Sequence, residues 1–392
     1  MGKENSEKIK ILRIINRFNI GGPIWNVALL TKHLPENYET KLVGGQANVT
    51  EASAMEILEK LNITASILPS MSRKLNLTRD LKAFFELRKI IREFKPQIVH
   101  THASKAGFLG RLAAFTSGVP VVVHTYHGHV FESYFGKIKS SLIKHVERLL
   151  ALKTTAVVAI SEAQKKAINE QFRICASSKT HVIPLGFDLT PFHPNAVIRL
   201  TARKEYQLSD ATIAVGIVGR LTPIKNHEMF LNAAHLVVSN SPLNYRFFIA
   251  GDGEMKTELQ EHAELLGISH KVVFTSWIFP MDRFYAAMDL ICLTSLNEGT
   301  PVTLIEAQAA GIPVISTDVG GVKNTLINHE TGLLLSSFDS KELAEKIEYL
   351  STHREKRIQM SKNAHTFAVE QHSYSQLIGR MDNLYQKLLN DA

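Results

Sequence analysis

Short apolar runs alternate with longer amphipathic segments along the first half of the chain. The apolar runs cover residues 9–15, 41–44, 97–101, 119–125, 156–160 and 181–184. Helical periodicity between them is clearest over residues 78–94 and 107–115. Short, almost wholly apolar strands separated by helices are typical of a parallel sheet covered on both faces. The pattern therefore predicts an α/β domain with a doubly wound sheet.

The same pattern starts again in the second half. Its apolar runs cover residues 211–218, 245–250, 272–275, 290–294, 314–317 and 332–335. A proline-containing segment, 184–194, separates the two series and is predicted to be a linker. We expect Rossmann-like domains over 1–190 and 195–373, facing each other across a ligand-binding cleft. A last helix within 374–392 follows the second sheet and is predicted to pack back on the first domain.

Length and composition agree with two ordinary soluble domains. The 392 residues are too many for one typical core, and 45% are hydrophobic while 21% are charged. The polar N-terminus does not resemble a signal peptide, and no apolar run reaches membrane-spanning length. Cys175 and Cys292 are too few and too distant for a disulfide framework or a zinc site. These features favour a cytoplasmic location.

Charge is unevenly distributed along the chain. Residues 1–195 hold 27 Lys and Arg against 15 Asp and Glu, whereas the remainder holds 18 against 22. A basic first half is compatible with nucleic acid, with an anionic membrane surface or with a phosphate-bearing acceptor. No nucleic-acid-binding motif accompanies the charge, so nucleic acid is not expected as a partner. We prefer the membrane or phosphate interpretation, with a peripheral place at the inner face of the plasma membrane.

The segment 71–95 concentrates this positive charge on an amphipathic pattern. Eight Lys and Arg residues are interspersed with large apolar residues, among them Leu77, Leu81, Phe84, Phe85, Ile91 and Phe94. Basic amphipathic helices can lie on anionic lipid, but the simpler interpretation is a surface helix with its charged side in water. We prefer the surface-helix interpretation, although a second basic segment at 137–153 adds some support to the lipid-binding one.

The most informative segment follows the apolar run at 290–294. Glu298 and Gly299 occupy a predicted loop, Thr300 is a candidate helix cap, and Pro301 suits a first helical turn. Glu306 is then expected about two turns into the helix. A helix N-terminus favours an anion such as phosphate, and carboxylates bind hydroxyl groups. A phosphate site with two carboxylates indicates a sugar nucleotide.

Other loops at strand ends carry candidate ligand groups. Gly219 ends a strand and is followed by Arg220 and Lys225, which can neutralise a diphosphate or form an ordinary solvated pair. Gly21 and Gly22 follow the first strand. They belong either to a ligand-binding loop or to a simple turn. The histidines at 124, 127 and 129 lack acidic or cysteine companions, so a metal site is not expected there.

Taken together, these motifs resemble family-4 retaining glycosyltransferases. The resemblance rests on Glu298 and Glu306 at E-x7-E spacing, and on segments 219–226, 251–253, 183–188, 100–107 and 124–128 in the expected order. It implies a GT-B fold of two Rossmann-like domains. The first domain would bind the acceptor and the second the nucleotide sugar, with no metal or other cofactor.

The resemblance also implies residue roles. Arg220 and Lys225 would hold the donor diphosphate, Glu306 the ribose hydroxyls and Glu298 the donor sugar. His127 would touch that sugar near the reacting carbon. The remaining donor-binding positions implied are Gly21, Gly22, Gly219, Trp277, Ile278, Gly299, Thr300, Pro301 and Val302. Trp277 and Ile278 would meet the base, and Pro301 would offer no N–H donor.

The expected activity is retaining transfer of a sugar from a nucleotide sugar, most simply a UDP-sugar. The resemblance implies a glycan or lipid-linked acceptor and a part in polysaccharide, lipopolysaccharide or other glycan assembly. Charge developing on the leaving diphosphate would be stabilised by Arg220, Lys225 and the helix dipole. Two alternatives are kept, a GT-B-fold sugar-nucleotide epimerase and a non-catalytic sugar-nucleotide-binding protein.

Overall fold

The chain divides into two compact units. The structure is a computed structural model that describes residues 7–19, 22–47, 53–72, 76–127 and 137–392. The first unit contains Met1–Phe187 and Tyr374–Ala392, and the second contains Asp188–Ser373. The division between 187 and 188 lies inside the proline-containing segment that the sequence singles out.

Unit 1 is built on a seven-stranded parallel sheet. Its strands are β1 (Ile9–Arg17), β2 (Tyr38–Gly45), β3 (Ala65–Ile67), β4 (Ile98–His102), β5 (Val121–Tyr126), β6 (Ala156–Ala159) and β7 (Thr180–Val182). They lie in the order β3-β2-β1-β4-β5-β6-β7. The three-residue edge strand β3 is not predicted by the sequence pattern, because so short a segment has no readable alternation.

Helices connect these strands as a doubly wound sheet requires. They are α1 (Gly22–His33), α2 (Met55–Lys60), α3 (Leu77–Phe94), α4 (Ser104–Thr116), α5 (Lys137–Lys153) and α6 (Glu162–Lys166). Helix α3 begins after Asn76, whose side chain accepts a hydrogen bond from the Arg79 N–H. It buries one face, formed by Ala83, Leu87 and Ile91.

Helix α4 packs closely on β4 and β5 because it carries glycine at two contact positions. A Cβ on Gly107 would lie 2.4 Å from Cε1 of His124, and one on Gly110 would lie 2.7 Å from Cγ2 of Thr101. His124 is fully buried, and its Nδ1 lies 2.8 Å from the Thr101 hydroxyl. The two glycines therefore let a polar pair sit beneath the helix.

Unit 2 contains a six-stranded parallel sheet. Its strands are β8 (Thr212–Val218), β9 (Asn244–Ala250), β10 (Val272–Ser276), β11 (Leu290–Leu293), β12 (Val314–Thr317) and β13 (Gly332–Leu335), in the order β10-β9-β8-β11-β12-β13. Its helices are α7 (Ala196–Glu205), α8 (His227–Asn240), α9 (Lys256–Leu265), α10 (Asp282–Ala287), α11 (Val302–Ala309), α12 (Ser340–Thr352) and α13 (Arg354–His372).

Strand β11 is fixed at its start by one carboxylate. Asp289 accepts hydrogen bonds from Arg199 at 2.7 Å and from Arg203 at 3.1 Å, and its Oδ2 also accepts the Ala214 N–H. The guanidinium of Arg203 is almost fully buried, and it also donates to the carbonyls of Ala287, Ser209 and Thr212. This network ties α7 to the beginnings of β8 and β11, the two central strands.

The last helix, α14 (Tyr374–Asn390), belongs to unit 1. Its apolar stripe is buried, with Leu377, Ile378, Met381, Leu384 and Leu388 in one core cluster with strand residues of unit 1. The Tyr385 hydroxyl lies 2.5 Å from Nδ1 of His100 on β4. The helix thus covers the polar centre of that sheet. Within the described residues, no helix is long and apolar enough to cross a bilayer.

Replacing Gly107 by alanine tests the packing of α4, and Gly379 in α14 provides a control. The Gly107→Ala substitution forces the buried His124 ring to move, so we expect a loss of about 1–3 kcal/mol in the free energy of unfolding. A Cβ on Gly379 of α14 would meet no neighbouring atom within 4 Å. Gly379→Ala should therefore stabilise the chain by about 0.5–1 kcal/mol. Denaturant unfolding measures both, and equal effects would contradict the packing described.

Candidate active site

The order of strands in unit 2 reverses between β8 and β11. In open α/β sheets, ligands bind at the carboxyl ends of the strands where this reversal occurs. The loop after β8 carries Gly219, Arg220 and Lys225, and the loop after β11 carries Glu298 and its neighbours. The two loops that the sequence singles out separately therefore leave adjacent strands at the same edge of the sheet.

The loop after β8 is held against the end of β11. A 3₁₀ turn, Pro223–Lys225, leads to Asn226 in the left-handed conformation with φ 50°. The Thr294 hydroxyl donates to the carbonyl of Lys225 at 3.0 Å and to that of Asn226 at 2.8 Å. The Leu296 N–H donates to the Ile224 carbonyl at 2.8 Å. These bonds fix the backbone from which the Lys225 side chain extends.

Lys225 and Glu298 form an ion pair at this edge. Nζ of Lys225 lies 2.5 Å from Oε1 of Glu298, and the Ser295 hydroxyl donates to the same oxygen at 2.6 Å. Both side chains are mostly buried, with 21% and 11% of their surfaces exposed. Burial and the shared hydrogen bond from Ser295 therefore hold the two side chains in place. Arg220, by contrast, is exposed, and its side chain has no ion pair with another described residue.

Backbone contacts position the Glu298 loop. Gly320 and Gly321 follow β12, and a Cβ on either would lie within 2 Å of the carbonyl oxygen of Glu298 or Gly299. The Gly321 N–H donates to the Glu298 carbonyl at 3.0 Å. Only glycine allows this approach, so the Gly320–Gly321 pair supports the loop that presents the carboxylate.

The start of α11 differs from the sequence-based expectation. Thr300 does not cap the helix and Pro301 is not in its first turn, because the helix begins at Val302 and Pro301 is the flanking residue. The ψ of 92° at Pro301 keeps it extended, and no side chain caps the helix. The N–H groups of Val302 and Thr303 begin the first turn and have no partner within the helix. Glu306 consequently lies about one turn into the helix rather than two.

Glu306 is a largely buried carboxyl group on α11. Burial raises its pKa to about 7, and a hydrogen bond from the Tyr285 hydroxyl at 3.0 Å opposes part of that rise. Tyr285 is fully buried on α10. Glu306 therefore occupies a different environment from Glu298, whose oxygen is paired with a cation.

The predicted base-contacting residues follow β10. Trp277 is 60% exposed, whereas Ile278 packs against the core cluster that includes Phe284 and Leu304. Strand β10 lies at the edge of the sheet beyond β9. The Trp277 indole therefore exposes an aromatic face at the carboxyl end of the strand, whereas the side chain of Ile278 packs against the core.

The remaining predicted residues belong to unit 1 and follow β1 and β5 in the sequence. Gly22 is the first residue of α1, while Gly21 lies outside the described residues. His127 follows β5, and its Nε2 lies 2.9 Å from Nδ1 of His102 at the end of β4. Burial lowers the pKa of His127 to about 4, so the imidazole is neutral at physiological pH.

No metal site is visible among the residues that the structure describes. Within those ranges, no three His, Cys, Asp or Glu side chains come together in a way that could hold a metal ion. The buried histidines of unit 1 do not form such a group. The described groups of the candidate site are cations, carboxylates, the first backbone N–H groups of α11 and an exposed aromatic ring.

Comparison with known proteins identifies the family. Residues 20–191 match the family described as Glycosyltransferase Family 4, and residues 199–367 match Glycosyl transferases group 1. An Escherichia coli protein, UDP-Gal:alpha-D-GlcNAc-diphosphoundecaprenol alpha-1,3-galactosyltransferase, is 31% identical over 327 residues, covering 83% of this chain and 84% of that protein. The chain belongs to family 4 of the glycosyltransferases.

Further similarities agree with this assignment. The capsular polysaccharide biosynthesis glycosyltransferase CapM of Staphylococcus aureus is 27% identical over 353 residues, with 88% of this chain and 90% of CapM covered. Neither the epimerase nor the non-catalytic binding protein is favoured by these relatives, which are named as glycosyltransferases.

Solved structures confirm the predicted GT-B fold. A glycosyltransferase of Rickettsia africae superimposes with a TM-score of 0.82 at 19% identity, covering 98% of this chain and all of that one. HepE of Anabaena, in complex with UDP, superimposes with a TM-score of 0.81 at 20% identity, covering 96% of this chain and all of HepE.

Several residues of the glycosyltransferase site are not predicted from the sequence. Ser295 and Tyr285 hold the two glutamates, and Gly320 with Gly321 supports the Glu298 loop. His102 contacts His127. The glycine pair, two residues after the apolar run 314–317, is a readable signal of close backbone approach. Ser295 and Tyr285 had none, because their partners are known only from the tertiary structure.

The raised pKa of Glu306 predicts a pH-dependent stability of the ligand-free glycosyltransferase. The unfolded chain releases this proton near pH 4.5, whereas the folded chain keeps it up to about pH 7. The free energy of unfolding should therefore fall by about 3 kcal/mol between those pH values relative to Glu306→Gln, which cannot titrate. Denaturant unfolding from pH 4.5 to 8 measures the difference, and parallel curves for the two proteins would contradict the burial described.

Proposed function

We propose that this glycosyltransferase transfers a sugar from a UDP-sugar to a glycan or lipid-linked acceptor. The transfer retains the anomeric configuration, uses no metal ion and serves polysaccharide, lipopolysaccharide or other glycan assembly. The observation that carries the proposal is the Lys225–Glu298 pair beside the exposed Arg220 at the strand-order reversal of unit 2. The UDP in the crystal structure of HepE supports the choice of nucleotide.

In this proposal the diphosphate binds Arg220, Lys225 and the first N–H groups of α11. Arg220 offers a planar fork of donors and Lys225 a point charge, which together match a dianionic leaving group. The helix N-terminus adds N–H donors and a positive dipole end. Negative charge develops on the diphosphate as the glycosidic bond breaks, so these groups stabilise the transition state more than the bound substrate.

The glutamates serve different hydroxyl groups in the donor. Glu306 accepts from the ribose hydroxyls and Glu298 from the donor sugar, while Trp277 stacks near the base. Lys225 already holds Oε1 of Glu298, which leaves Oε2 for the sugar. Gly219, Gly299, Thr300 and Val302 provide backbone close to the donor, and Ile278 supports the base loop. Gly21 and Gly22 stay in the proposal as donor-binding positions on the grounds of the family resemblance alone.

Neither glutamate acts as a covalent nucleophile in this mechanism. Glu298 is neutralised by a cation at 2.5 Å, which makes its oxygen a poor nucleophile. The acceptor hydroxyl attacks the face that the diphosphate leaves, and the departing phosphate oxygen receives its proton. Retention follows without a glycosyl-enzyme intermediate, unlike the two-carboxylate mechanism of retaining glycoside hydrolases.

The relatives suggest the class of acceptor. The Escherichia coli relative is named for an acceptor with a diphosphoundecaprenol group, and CapM for capsular polysaccharide biosynthesis. The net charge of +12 over residues 1–195 fits an anionic lipid-linked substrate. We therefore place the acceptor on unit 1 as part of the proposal.

Helix α3 supports a further element of the proposal, contact with an anionic membrane surface. Leu77, Leu81 and Phe85 are 86%, 55% and 55% exposed. Helical spacing continues this ridge through Arg88 and Arg92. Arg92 is exposed, while Arg88 is half-buried against Phe84. A ridge that is apolar in one half and basic in the other suits the interface of an anionic bilayer. Arg73 and Lys74, also in the predicted basic segment, lie outside the described residues.

Loss of the diphosphate-binding cations tests the proposed activity. Lys225→Ala and Arg220→Ala should each lower the rate of transfer from a UDP-sugar by about 100-fold or more, with the fold intact. Lys346→Ala is the matched control, because Lys346 pairs with Glu342 at 3.4 Å on a surface helix of the same unit. Donor consumption and product formation measure the rates. Undiminished transfer by both site variants would exclude the proposed site.

Charge removal on α3 tests the membrane contact. The triple variant Arg88→Gln, Lys89→Gln, Arg92→Gln should bind vesicles with about 30% phosphatidylglycerol-type lipid at least about 10-fold more weakly than the wild type. The control removes the same charge from exposed lysines of unit 2, with Lys341→Gln, Lys356→Gln and Lys362→Gln. Co-sedimentation measures binding, and equal binding by both triple variants removes α3 from the proposal.

A further inference from the structure

The hydroxyl group of Tyr285, on α10, meets one side of α11. It lies 3.0 Å from Oε2 of Glu306, and the Thr303 side chain also forms a hydrogen bond with it. Thr303 and Glu306 are about one helical turn apart, so they lie on the same side of α11. Tyr285 is thus fully buried against the helix that carries the carboxylate. This tyrosine has no part in the mechanism proposed above.

Tyr285 donates the hydrogen bond to Glu306. Burial, and then the neighbouring carboxylate, raise the pKa of the phenol well above its usual value, so the hydroxyl keeps its proton throughout the neutral range. An ionised carboxylate has no proton to give and can only accept. The phenol oxygen can in turn accept a hydrogen bond from the Thr303 hydroxyl. The hydrogen bonds therefore run in one direction, from Thr303 through Tyr285 to Glu306.

The ring of Tyr285 is restrained by its neighbours. The Phe192 ring lies 5.7 Å away at an interplanar angle of 76°, and the Phe284 ring lies 5.9 Å away at 72°. Both are edge-to-face contacts of the kind that aromatic side chains prefer. The Tyr285 N–H donates to the Met281 carbonyl at 3.1 Å. A hydroxyl on so restrained a ring holds its acceptor at one place, so it can fix the orientation of the Glu306 carboxylate.

The two oxygens of Glu306 consequently differ. Oε2 is held by Tyr285, whereas Oε1 has no hydrogen bond to another described residue, and the side chain keeps some exposure to solvent. Burial raises the pKa of the carboxyl to about 7, and the hydrogen bond from Tyr285 opposes that rise because it favours the ionised form. Among the described residues, Tyr285 is the titratable group that shifts this pKa. Tyr285 thus both orients the carboxylate and favours its ionisation.

We propose that Tyr285 is a positioning residue for the donor: its hydroxyl holds Oε2 of Glu306 and leaves Oε1 to accept a hydroxyl group of the ribose. Helix α10 also follows directly on the loop of Trp277 and Ile278, so one short helix ends the base loop and carries the anchor of the carboxylate. The recognition of the ribose rests on the proposed function. The hold of Tyr285 on Glu306 does not.

Removal of a single hydroxyl group tests this role. Tyr285→Phe keeps the ring and loses the donor. Tyr245→Phe is the matched control, because Tyr245 is also buried in unit 2 and its hydroxyl has no partner among the described residues. Calorimetric titration of each full-length protein measures the affinity for UDP and for 2′,3′-dideoxy-UDP, which lacks both ribose hydroxyls. Comparing the two nucleotides cancels the titration of their phosphates.

At about pH 7.5 the wild type should bind UDP about 10- to 100-fold more tightly than the dideoxy nucleotide. Tyr285→Phe should weaken UDP binding about 5- to 10-fold and dideoxy binding less than about 2-fold, while Tyr245→Phe should change neither. Because the ionised carboxylate is the acceptor, the preference of the wild type for UDP should fall as the pH drops through about 7. In Tyr285→Phe that fall should occur at higher pH, since the bond that favours ionisation is lost.

The hold on Glu306 is measured without any nucleotide. Carbon NMR of ¹³C-glutamate-labelled protein, with Glu306→Gln for assignment, gives the pKa of the carboxyl. That pKa should be higher in Tyr285→Phe than in the wild type and unchanged in Tyr245→Phe. Incorporation of 3-fluorotyrosine at position 285 keeps the shape of the ring and makes the phenol a stronger donor. It should lower the pKa, which decides the question if Tyr285→Phe does not fold.

The two claims fail in different ways. Equal weakening of UDP and dideoxy-UDP by Tyr285→Phe overturns the inference, and so does unchanged UDP affinity in that variant when the wild type prefers UDP. A carboxyl pKa of Glu306 that does not respond to the change at Tyr285 also overturns it. A wild type that binds neither nucleotide, or both equally, counts against the proposed function instead, while the NMR titration still decides whether Tyr285 holds Glu306.

Discussion

The ion pair between Lys225 and Glu298 organises the site of unit 2. A lysine from the loop after β8 and a glutamate from the loop after β11 meet at 2.5 Å because those two strands are neighbours where the strand order reverses. Parallel strands place their carboxyl ends at one edge, so loops distant in sequence share that edge. Removing either partner would leave a mostly buried charge unpaired. The Ser295 hydroxyl and the close approach of Gly320 and Gly321 hold the loop that carries Glu298.

The cations and buried histidines of the two units lie in different surroundings. In unit 2, Arg220 is exposed on its loop, whereas Lys225 is mostly buried in its ion pair with Glu298. In unit 1 the only fully buried cations among the described residues are Arg13 and Arg111. Burial lowers the pKa of four histidines of this unit, and the charge of Arg13 or Arg111 adds to the effect at His100, His102 and His124.

The sequence predicts the strands well because buried parallel strands are short apolar runs, and most predicted ends lie within about three residues of the observed ones. It misses β3, which has three residues. It also misplaces the start of α11, since a proline suits both the flanking position and the first turn, and only ψ distinguishes them. The glutamates and cations are visible as motifs. Their pairing is not, because Lys225 and Glu298 are 73 residues apart and meet only through the sheet. The roles assigned to the site residues stay predictions.

A crystal structure of the chain with UDP tests the central claim most directly. We expect the diphosphate within hydrogen-bond distance of Arg220 and Lys225 at the start of α11, with the ribose beside Glu306. Another location is available, a groove of about 810 Å³ in unit 2 that is lined by Arg199, Arg354 and Arg357 and lies near the start of β11 and β12. UDP bound in that groove, or at the carboxyl ends of β1 and β4, would contradict the account.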